Sequence, residues 1–514
     1  MEEAGEECGI CAIYLKNQKG SLKNTPLLLI KSLSMLQHRG QKSAGISVFN
    51  PLAEGEERRK TLLSFKGVGR VSEVFKFRHR HENELIVERC QGIAGIGHTR
   101  YSTSGKREDY YSAIDEAQPF IRRHPLSWKK FSLAFNGNIV NYSSLCKYLE
   151  ERGYSLETNV DTEVLMALIS IHLKRLSSEE SEGRSIKPSL FDVVSEITKL
   201  IDGSYNVLTL FGDGDLLVFR DPKGFRPLVW GENDAFYAVA SESAVFDKIG
   251  ISEFKDVEPG EAIIFNKGGV QRKKLSNNQQ SFCHFEHVYF ARPNSKIEGV
   301  LVKSVRQNLG RELSKIEFLK EKLNENYLVI PAPKTAIPAA EAYAESLNLQ
   351  MHQAIEKNEE ERGFINSTFE RERIMKNSYI IHPDVKGRKI ILIDDSIVRG
   401  ETSKILISQL RNAGALEVHV RLTEPPIKHP CFYGIDYPTR EELIAARLSK
   451  GIDEEELQKL GEKVAKEIGA DSVVFQTIPG LIKSMNLPKE NLCLACLTGR
   501  YPTSGGQKAS EENK

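Results

Sequence analysis

The alternation of apolar and polar positions changes character along the chain. From residue 8 to about 245 it consists of short strand-like runs: CGICAIY, AGISVF, GIAGIGHTRYS, FSLAFNG, SYNVLTLF, DLLVFRD and AFYAVAS. Gly, Asp and Asn punctuate them, as in antiparallel sheets. Two stretches break the rhythm. TEVLMALISIHLKRL is apolar at helical spacing, and PSLFDVVSEITKLI follows it after the polar loop SSEESEGRS. Sheets with helices packed outside them predict a layered sandwich.

From about 285 to 425 strands and helices alternate. YLVI leads into PAPKTA and the helix AAEAYAESL. KIILIDD leads into SIVRGE, the helix TSKILISQLRNAG and the strand EVHVRL. This pattern predicts a doubly wound parallel sheet, and Gly414 falls where a helix C-cap belongs. Residues 251–282, ending in QRKKLSNNQQS, read as a polar connector. The last segment, 503–514, has little to bury and is expected to be disordered.

Composition narrows the function. At ~150 residues per domain, 514 residues suggest about three domains, or two large ones. Lys+Arg 71 against Asp+Glu 70 gives a net charge of +1, which argues against binding nucleic acid by bulk charge. No apolar run approaches the ~18 residues of a membrane span. The start, MEEAGEEC, is acidic and lacks the apolar core of a secretory signal. A cytoplasmic enzyme is the expectation. Eight cysteines in a chain this long are no disulfide scaffold. Cys11, Cys90 and Cys146 read as small buried hydrophobes.

The strongest chemical signal is the thirteen-residue string IDDSIVRGETS with the two apolar residues ahead of it, Ile391 to Ser403. An apolar strand delivers Asp394 and Asp395 to its end, where open α/β sheets bind ligands. A loop with Gly400 then opens a helix whose free N–H groups favour phosphate. Ser396, Thr402 and Ser403 add hydroxyls, and two acids suit ribose hydroxyls or a hydrated magnesium. The string resembles the phosphoribosyl pyrophosphate (PRPP) signature of phosphoribosyltransferases.

The resemblance spans nearly the whole chain. CGI at 8–10, LQHRGQKSAGI at 36–46, GHTRYST at 97–103, FNGNIVN at 135–141, DTEVL at 161–165, RDPKGFRPL at 220–228, VYFARPNS at 288–295, IDDSIVRG at 393–400, HPCFYGID at 429–436 and CLACLTGRYP at 493–502 are similar, in order, to the glutamine PRPP amidotransferase family. The resemblance implies a propeptide over 1–7 and an N-terminal-nucleophile glutaminase domain over 8–250, with two antiparallel sheets between helix layers. A phosphoribosyltransferase-type parallel-sheet domain over 283–502 would follow the connector. It implies the first step of purine biosynthesis: glutamine and PRPP give 5-phosphoribosylamine, glutamate and pyrophosphate. It also implies purine nucleotides as inhibitors and a homotetramer.

Removal of residues 1–7 would place the Cys8 thiol beside its own α-amino group, whose pKa of about 7.7–8.0 suits a base. The family uses an N-terminal cysteine in this way; without it Cys8 reads as a buried strand residue. By resemblance the Asn136 side chain and the Gly137 N–H form the oxyanion hole, against the plain alternative of an Asn-Gly turn. Arg100 is the expected clamp on the glutamine α-carboxylate and Asp161 the partner of its α-ammonium. Arg39 resembles a further glutamine-site arginine, with a structural salt bridge as its alternative. Phe135 stands where the family has His.

On the transferase side the resemblance implies PRPP contacts from Asp394, Asp395, Ser396, Arg399, Gly400, Thr402 and Ser403, and one magnesium ion near Thr335, Asp394 and Asp395. Lys357 resembles a loop lysine that contacts pyrophosphate, with a solvated surface lysine as its alternative. The acidic Glu359–Glu361 and Glu401 depart from the family, and would suit weaker PRPP binding or a non-catalytic sensor of PRPP or nucleotides. Cys283, Cys431, Cys493 and Cys496 lie in stretches similar to the iron–sulfur branch. Four soft thiolates suit one structural 4Fe-4S cluster or tetrahedral zinc, and the resemblance favours the cluster.

Overall fold

The computed structural model describes residues 8–17, 21–51, 61–101, 110–179, 185–357, 379–435, 437, 439–449, 451 and 454–512. The expected propeptide and the acidic triplet Glu359–Glu361 lie outside these residues. Among the described residues no helix is long and apolar enough to cross a membrane.

The first strand, Gly9–Leu15, is buried along its whole length, because each of its faces meets a different layer. Ile10, Ala12 and Tyr14 pack between two sheets, against Leu208, Leu210, Val218, Ile263 and Phe265. Cys11, Ile13 and Leu15 face the other way, onto Leu29 and Leu33 of the helix Asn24–Met35 and Phe246 of Ala244–Ile249. Its seven-stranded sheet runs Phe254–Asp256, Val229–Glu232, Phe236–Ala240, Gly9–Leu15, Ala94–Arg100, Ser43–Phe49 and Leu62–Val68. The second sheet has six strands, ordered Gly269–Lys274, Glu261–Asn266, Leu216–Arg220, Gly203–Phe211, Phe131–Ile139 and Phe120–Arg122. Its outer face carries the helices Tyr142–Glu150, Asp161–Arg175 and Leu190–Thr198. The predicted helix–sheet–sheet–helix sandwich is the fold observed, and all pairings within the two sheets are antiparallel.

The connector expected over 251–282 is a correction. Phe254–Asp256 edges the first sheet, and Glu261–Asn266 with Gly269–Lys274 completes the second. Arg272, Lys273 and Lys274 hid the last strand from the apolar pattern, since an edge strand carries charge at little cost. The disordered tail is a second correction. Ser504–Glu512 is a helix, held by the Gly505 N–H on Asp202 Oδ2 at 2.8 Å and by Thr503 against the Tyr433 hydroxyl at 3.1 Å.

The second half is a five-stranded parallel sheet in the order Gln350–Met351, Tyr327–Pro331, Lys389–Asp394, Glu417–Leu422, Ser472–Phe475. In chain order this is 2-1-3-4-5, whose switch point falls between Tyr327–Pro331 and Lys389–Asp394. The helices Ile337–Leu347 and Glu401–Asn412 bury their apolar faces on the sheet, and Gly414 follows the second at φ 97°.

A buried charge cluster joins the halves. Arg39 is 0% exposed. Its Nε donates to Glu242 Oε1 at 2.5 Å, and its Nη1 and Nη2 donate to the Glu286 carboxylate at 3.2 and 2.7 Å. Glu242 also accepts from the Arg292 N–H and the Ser295 hydroxyl, both at 2.8 Å. Burial pushes the Glu242 carboxyl up, but Arg39, His38 and the Arg292 N–H together hold it well below the usual range. Removing one charge from such a cluster strands another in a dry site. We therefore expect Glu286→Gln to cost about 3–5 kcal/mol, read as a lowered urea midpoint, with a smaller loss for the double variant Glu286→Gln/Arg39→Met.

Candidate active sites

Cys8 immediately precedes the first strand. The register Gly9↔Thr99 sets it beside Arg100 at the end of the neighbouring strand. The half-buried thiol is pushed up by burial, against the opposing pull of the Tyr101 N–H and the Arg100 charge. Such a thiol is neutral near pH 7 and requires a base to react.

The second sheet meets this end of the first. His98, opposite Ile10 in register, donates from Nε2 to the Phe135 carbonyl at 3.1 Å. Burial lowers the His98 pKa to about 3, so the ring is neutral and a fixed donor. Phe135 is core, and its N–H donates to Gln118 Oε1 at 2.7 Å. Next comes Asn136, 2% exposed, whose buried Nδ2 has no acceptor among the described residues. A buried amide donor of this kind is costly unless a ligand satisfies it. At Gly137 an added Cβ would lie 2.0 Å from the Ser204 carbonyl, so only Gly permits the pairing with Gly203–Phe211. Asp161 opens the helix Asp161–Arg175, and its Oδ2 accepts from the Ile139 N–H at 2.8 Å. Burial raises its pKa to about 6.

The geometry thus gathers Cys8, Arg100, Asn136, Gly137 and Asp161 at one end of the sandwich. Arg100 is ion-paired with Glu116, an acid the sequence did not flag. Arg39 is a correction to the expected glutamine-site arginine. Its backbone lies near Arg100, but its guanidinium turns to Glu242 and Glu286, the structural alternative.

In the second half, Asp394 ends its strand at the switch point and Asp395 follows, 7% exposed. The Thr335 hydroxyl, from the loop after Tyr327–Pro331, donates to Asp395 Oδ1 at 2.7 Å across that point. Burial raises the Asp395 pKa, and Thr335 and Asp394 pull it back. Gly400, at φ 85°, caps the helix Glu401–Asn412, a left-handed conformation that favours Gly. The Ser396 hydroxyl lies 3.4 Å from Asp395 Oδ2. The buried Ser403 hydroxyl has no partner among the described residues. Thr402 is half-buried, and Arg399 lies 3.4 Å from Glu442. Glu401 is exposed in the first turn, where the helix dipole favours an acid. Lys357 ends the strand Ile355–Lys357.

Cys283 and Cys493 are register partners of two short parallel strands. With Cys431 and Cys496 they line a small cavity beside Phe225, Arg226 and Tyr433. Burial pushes all four thiols up, Cys493 to about 12. Thiolates would form there only with a cation to compensate them, so the set fits a soft metal group. Zinc, with bonds of ~2.3 Å, would draw its sulfurs to about 3.8 Å apart. No three of these sulfurs lie within 4.8 Å of one another. His284 bridges this cavity to Glu424, with Nδ1 on the Cys493 carbonyl at 2.8 Å and Nε2 on Glu424 at 2.6 Å. The Glu424 N–H in turn donates to the Asp395 carbonyl at 2.9 Å. Glu424 lies just past a parallel strand, a position that could have marked it in the sequence.

Fold and sites together define a class: a glutamine amidotransferase domain joined to a phosphoribosyltransferase-type domain. A glutamine amidotransferase domain model matches residues 110–248. Amidophosphoribosyltransferase of Methanothermobacter thermautotrophicus is 36% identical over 98% of this chain and 95% of its own. That of Bacillus subtilis is 35% identical over 97% and 94%. The solved B. subtilis glutamine PRPP amidotransferase complexed with ADP and GMP has a TM-score of 0.78 at 34% identity, covering 96% of this chain and 97% of that one. A structure of the allosteric regulatory enzyme of purine biosynthesis gives 0.79 at 35%, covering 96% of each. The chain belongs to the amidophosphoribosyltransferase family, the glutamine-dependent pentosyltransferases of the first step of purine biosynthesis.

Because the Gly137 clash is with backbone, we expect Gly137→Ala to cost about 1–3 kcal/mol and to impair glutaminase turnover more than ammonia-dependent synthesis. Thermal denaturation and the two assays in parallel measure this.

Proposed function

We propose that Cys8, freed by removal of residues 1–7, is the nucleophile of a glutaminase that feeds ammonia to a PRPP site at Asp394–Ser403. The α-amino group takes the thiol proton, and the sulfur attacks the glutamine side-chain amide. Asn136 Nδ2 and the Gly137 N–H receive the oxyanion, ammonia departs with a proton, and water releases glutamate from the thioester. The observation that carries this is the buried, unsatisfied Asn136 donor at the Cys8 end of the sandwich. Arg100 binds the α-carboxylate in competition with Glu116, and Asp161 binds the α-ammonium.

Ammonia then attacks the anomeric carbon of PRPP and pyrophosphate leaves. Gly400, Thr402 and Ser403 cradle the 5-phosphate with Arg399 and Ser396 beside it, Asp394 and Asp395 hold ribose hydroxyls, and Lys357 meets the pyrophosphate. Thr335, Asp394 and Asp395 would hold magnesium, which supplies charge to the leaving group. Cys283, Cys431, Cys493 and Cys496 would hold a 4Fe-4S cluster as a structural tie, the choice over zinc resting on the resemblance to the iron–sulfur branch. A cytoplasmic homotetramer inhibited by purine nucleotides completes the reading. The ADP and GMP bound by the B. subtilis relative support the last point.

We expect Cys8→Ala to abolish glutamine-dependent synthesis and keep ammonia-dependent synthesis, and N-terminal sequencing of active enzyme to begin Cys-Gly-Ile. Full glutaminase activity with Met1 still attached would overturn the mechanism. Asp161 gives a pH signature. An ammonium needs its charged form, so KM for glutamine should rise about tenfold per pH unit below about 6. Asp161→Asn should show a high KM without that slope. Iron and sulfide analysis tests the cluster, and a folded, colourless, iron-free protein would refute it.

A further inference from the structure

Two histidines and an aspartate converge outside the residues assigned to either active site. His352 follows the edge strand Gln350–Met351, and its N–H donates to the Val329 carbonyl at 3.0 Å. His382 follows the strand Tyr379–Ile381, and its N–H donates to the Ala354 carbonyl at 2.8 Å. Asp384 sits in the turn Pro383–Val385, where the proline ring fixes φ. Backbone bonds and a stiff turn therefore hold the main chain of all three in place before any ligand binds.

Their side chains meet at one carboxylate. His352 Nδ1 lies 2.8 Å from one Asp384 oxygen, and His382 Nδ1 lies 3.1 Å from the other. The His382 Nδ1 also accepts from the Asp384 N–H at 3.4 Å. The two rings cross at 71° with centroids 5.2 Å apart. One nitrogen of each ring and a carboxylate oxygen all lie within 4.8 Å of one another. Among the described residues this is the only group of three or more His, Cys, Asp or Glu side chains so arranged.

Two imidazoles and one carboxylate are the donor set of borderline divalent ions such as zinc, and leave a fourth position open. Magnesium prefers oxygen ligands in an octahedron, so this set differs in kind from the acids at the PRPP site. A zinc tetrahedron needs its ligand atoms about 3.3 Å apart. The side chains are 43% to 55% exposed and have room to close that gap by rotation.

We propose that His352, His382 and Asp384 bind a divalent cation of the zinc class. The ion staples the root of the two-stranded ribbon formed by Ile355–Lys357 and Tyr379–Ile381. Ile355 pairs with Ile381, so His352 and His382 flank the root of the two strands. A ribbon of two strands has little stability of its own, and a cross-link there limits its opening. The cation thereby stiffens the strand that ends at Lys357.

Titration of the full-length holoprotein with zinc chloride tests this, with cobalt(II) as a spectroscopic probe. We expect one zinc per chain, bound outside the cysteine site, and a zinc-dependent rise in the thermal midpoint. His352→Ala and His382→Ala should each weaken zinc by at least about tenfold, the cost of losing even an outer-shell partner, and the double variant should abolish both effects. Cobalt should give ligand-field bands without thiolate charge transfer. Asp384→Asn is a second variant should the double one fail to fold. Unchanged zinc stoichiometry in the histidine variants, a thiolate band, or no binding by the wild-type protein at high micromolar zinc would overturn the proposal.

Discussion

The arrangement turns on a buried charge cluster at the seam of the two halves. Arg39 and Glu242 come from the first half and Glu286 from the start of the second, and none of the three has meaningful exposure. A buried ion pair is weak evidence of net stability, since desolvating the charges offsets much of their attraction. What it enforces is register. The two carboxylates must meet this guanidinium, and Arg226, within 3.7 Å of Glu286, also donates to the Tyr433 carbonyl at 2.8 Å. Sliding the halves would leave bare charges in a dry interface.

That fixed register lets hydrogen bonds run from one half to the other. The Asn138 side chain, two residues past Asn136, donates to the Phe432 carbonyl at 3.0 Å, and the Ser204 hydroxyl donates to the Tyr433 carbonyl at 2.6 Å. Phe432 and Tyr433 directly follow Cys431. The strand bearing Asn136 and Gly137 is therefore joined to the cysteine cavity by hydrogen bonds. His284 and Glu424 carry the chain of contacts on to the backbone of Asp395.

Within each half, topology explains the placement of chemistry. In the parallel sheet the switch point opens a crevice at the C-terminal strand ends, and Thr335 and Asp395 face each other across it. In the sandwich the first strand starts at one end, so a thiol at position 8 sits at its mouth rather than in its core.

Much of this was legible in the chain itself. The strand Glu417–Leu422, the helices Asp161–Arg175 and Glu401–Asn412, and the Asp-Asp loop follow from local periodicity and turn chemistry. These signals are written within a few residues of one another, and the ordered motifs carried the family. The sequence misled where charge or polarity masked a partner. Arg272 to Lys274 form an edge strand, and Gly505 anchors a terminal helix on Asp202, far away in the chain. The role of Arg39 was open for the same reason: an arginine in a motif reads alike whether it faces a substrate or two carboxylates. Residue type and spacing set which elements form and which groups could react. Only packing decided that Glu242 and Glu286 claim Arg39, that Glu116 reaches Arg100, and that His352 and His382 share Asp384, because those contacts join residues that no local pattern relates.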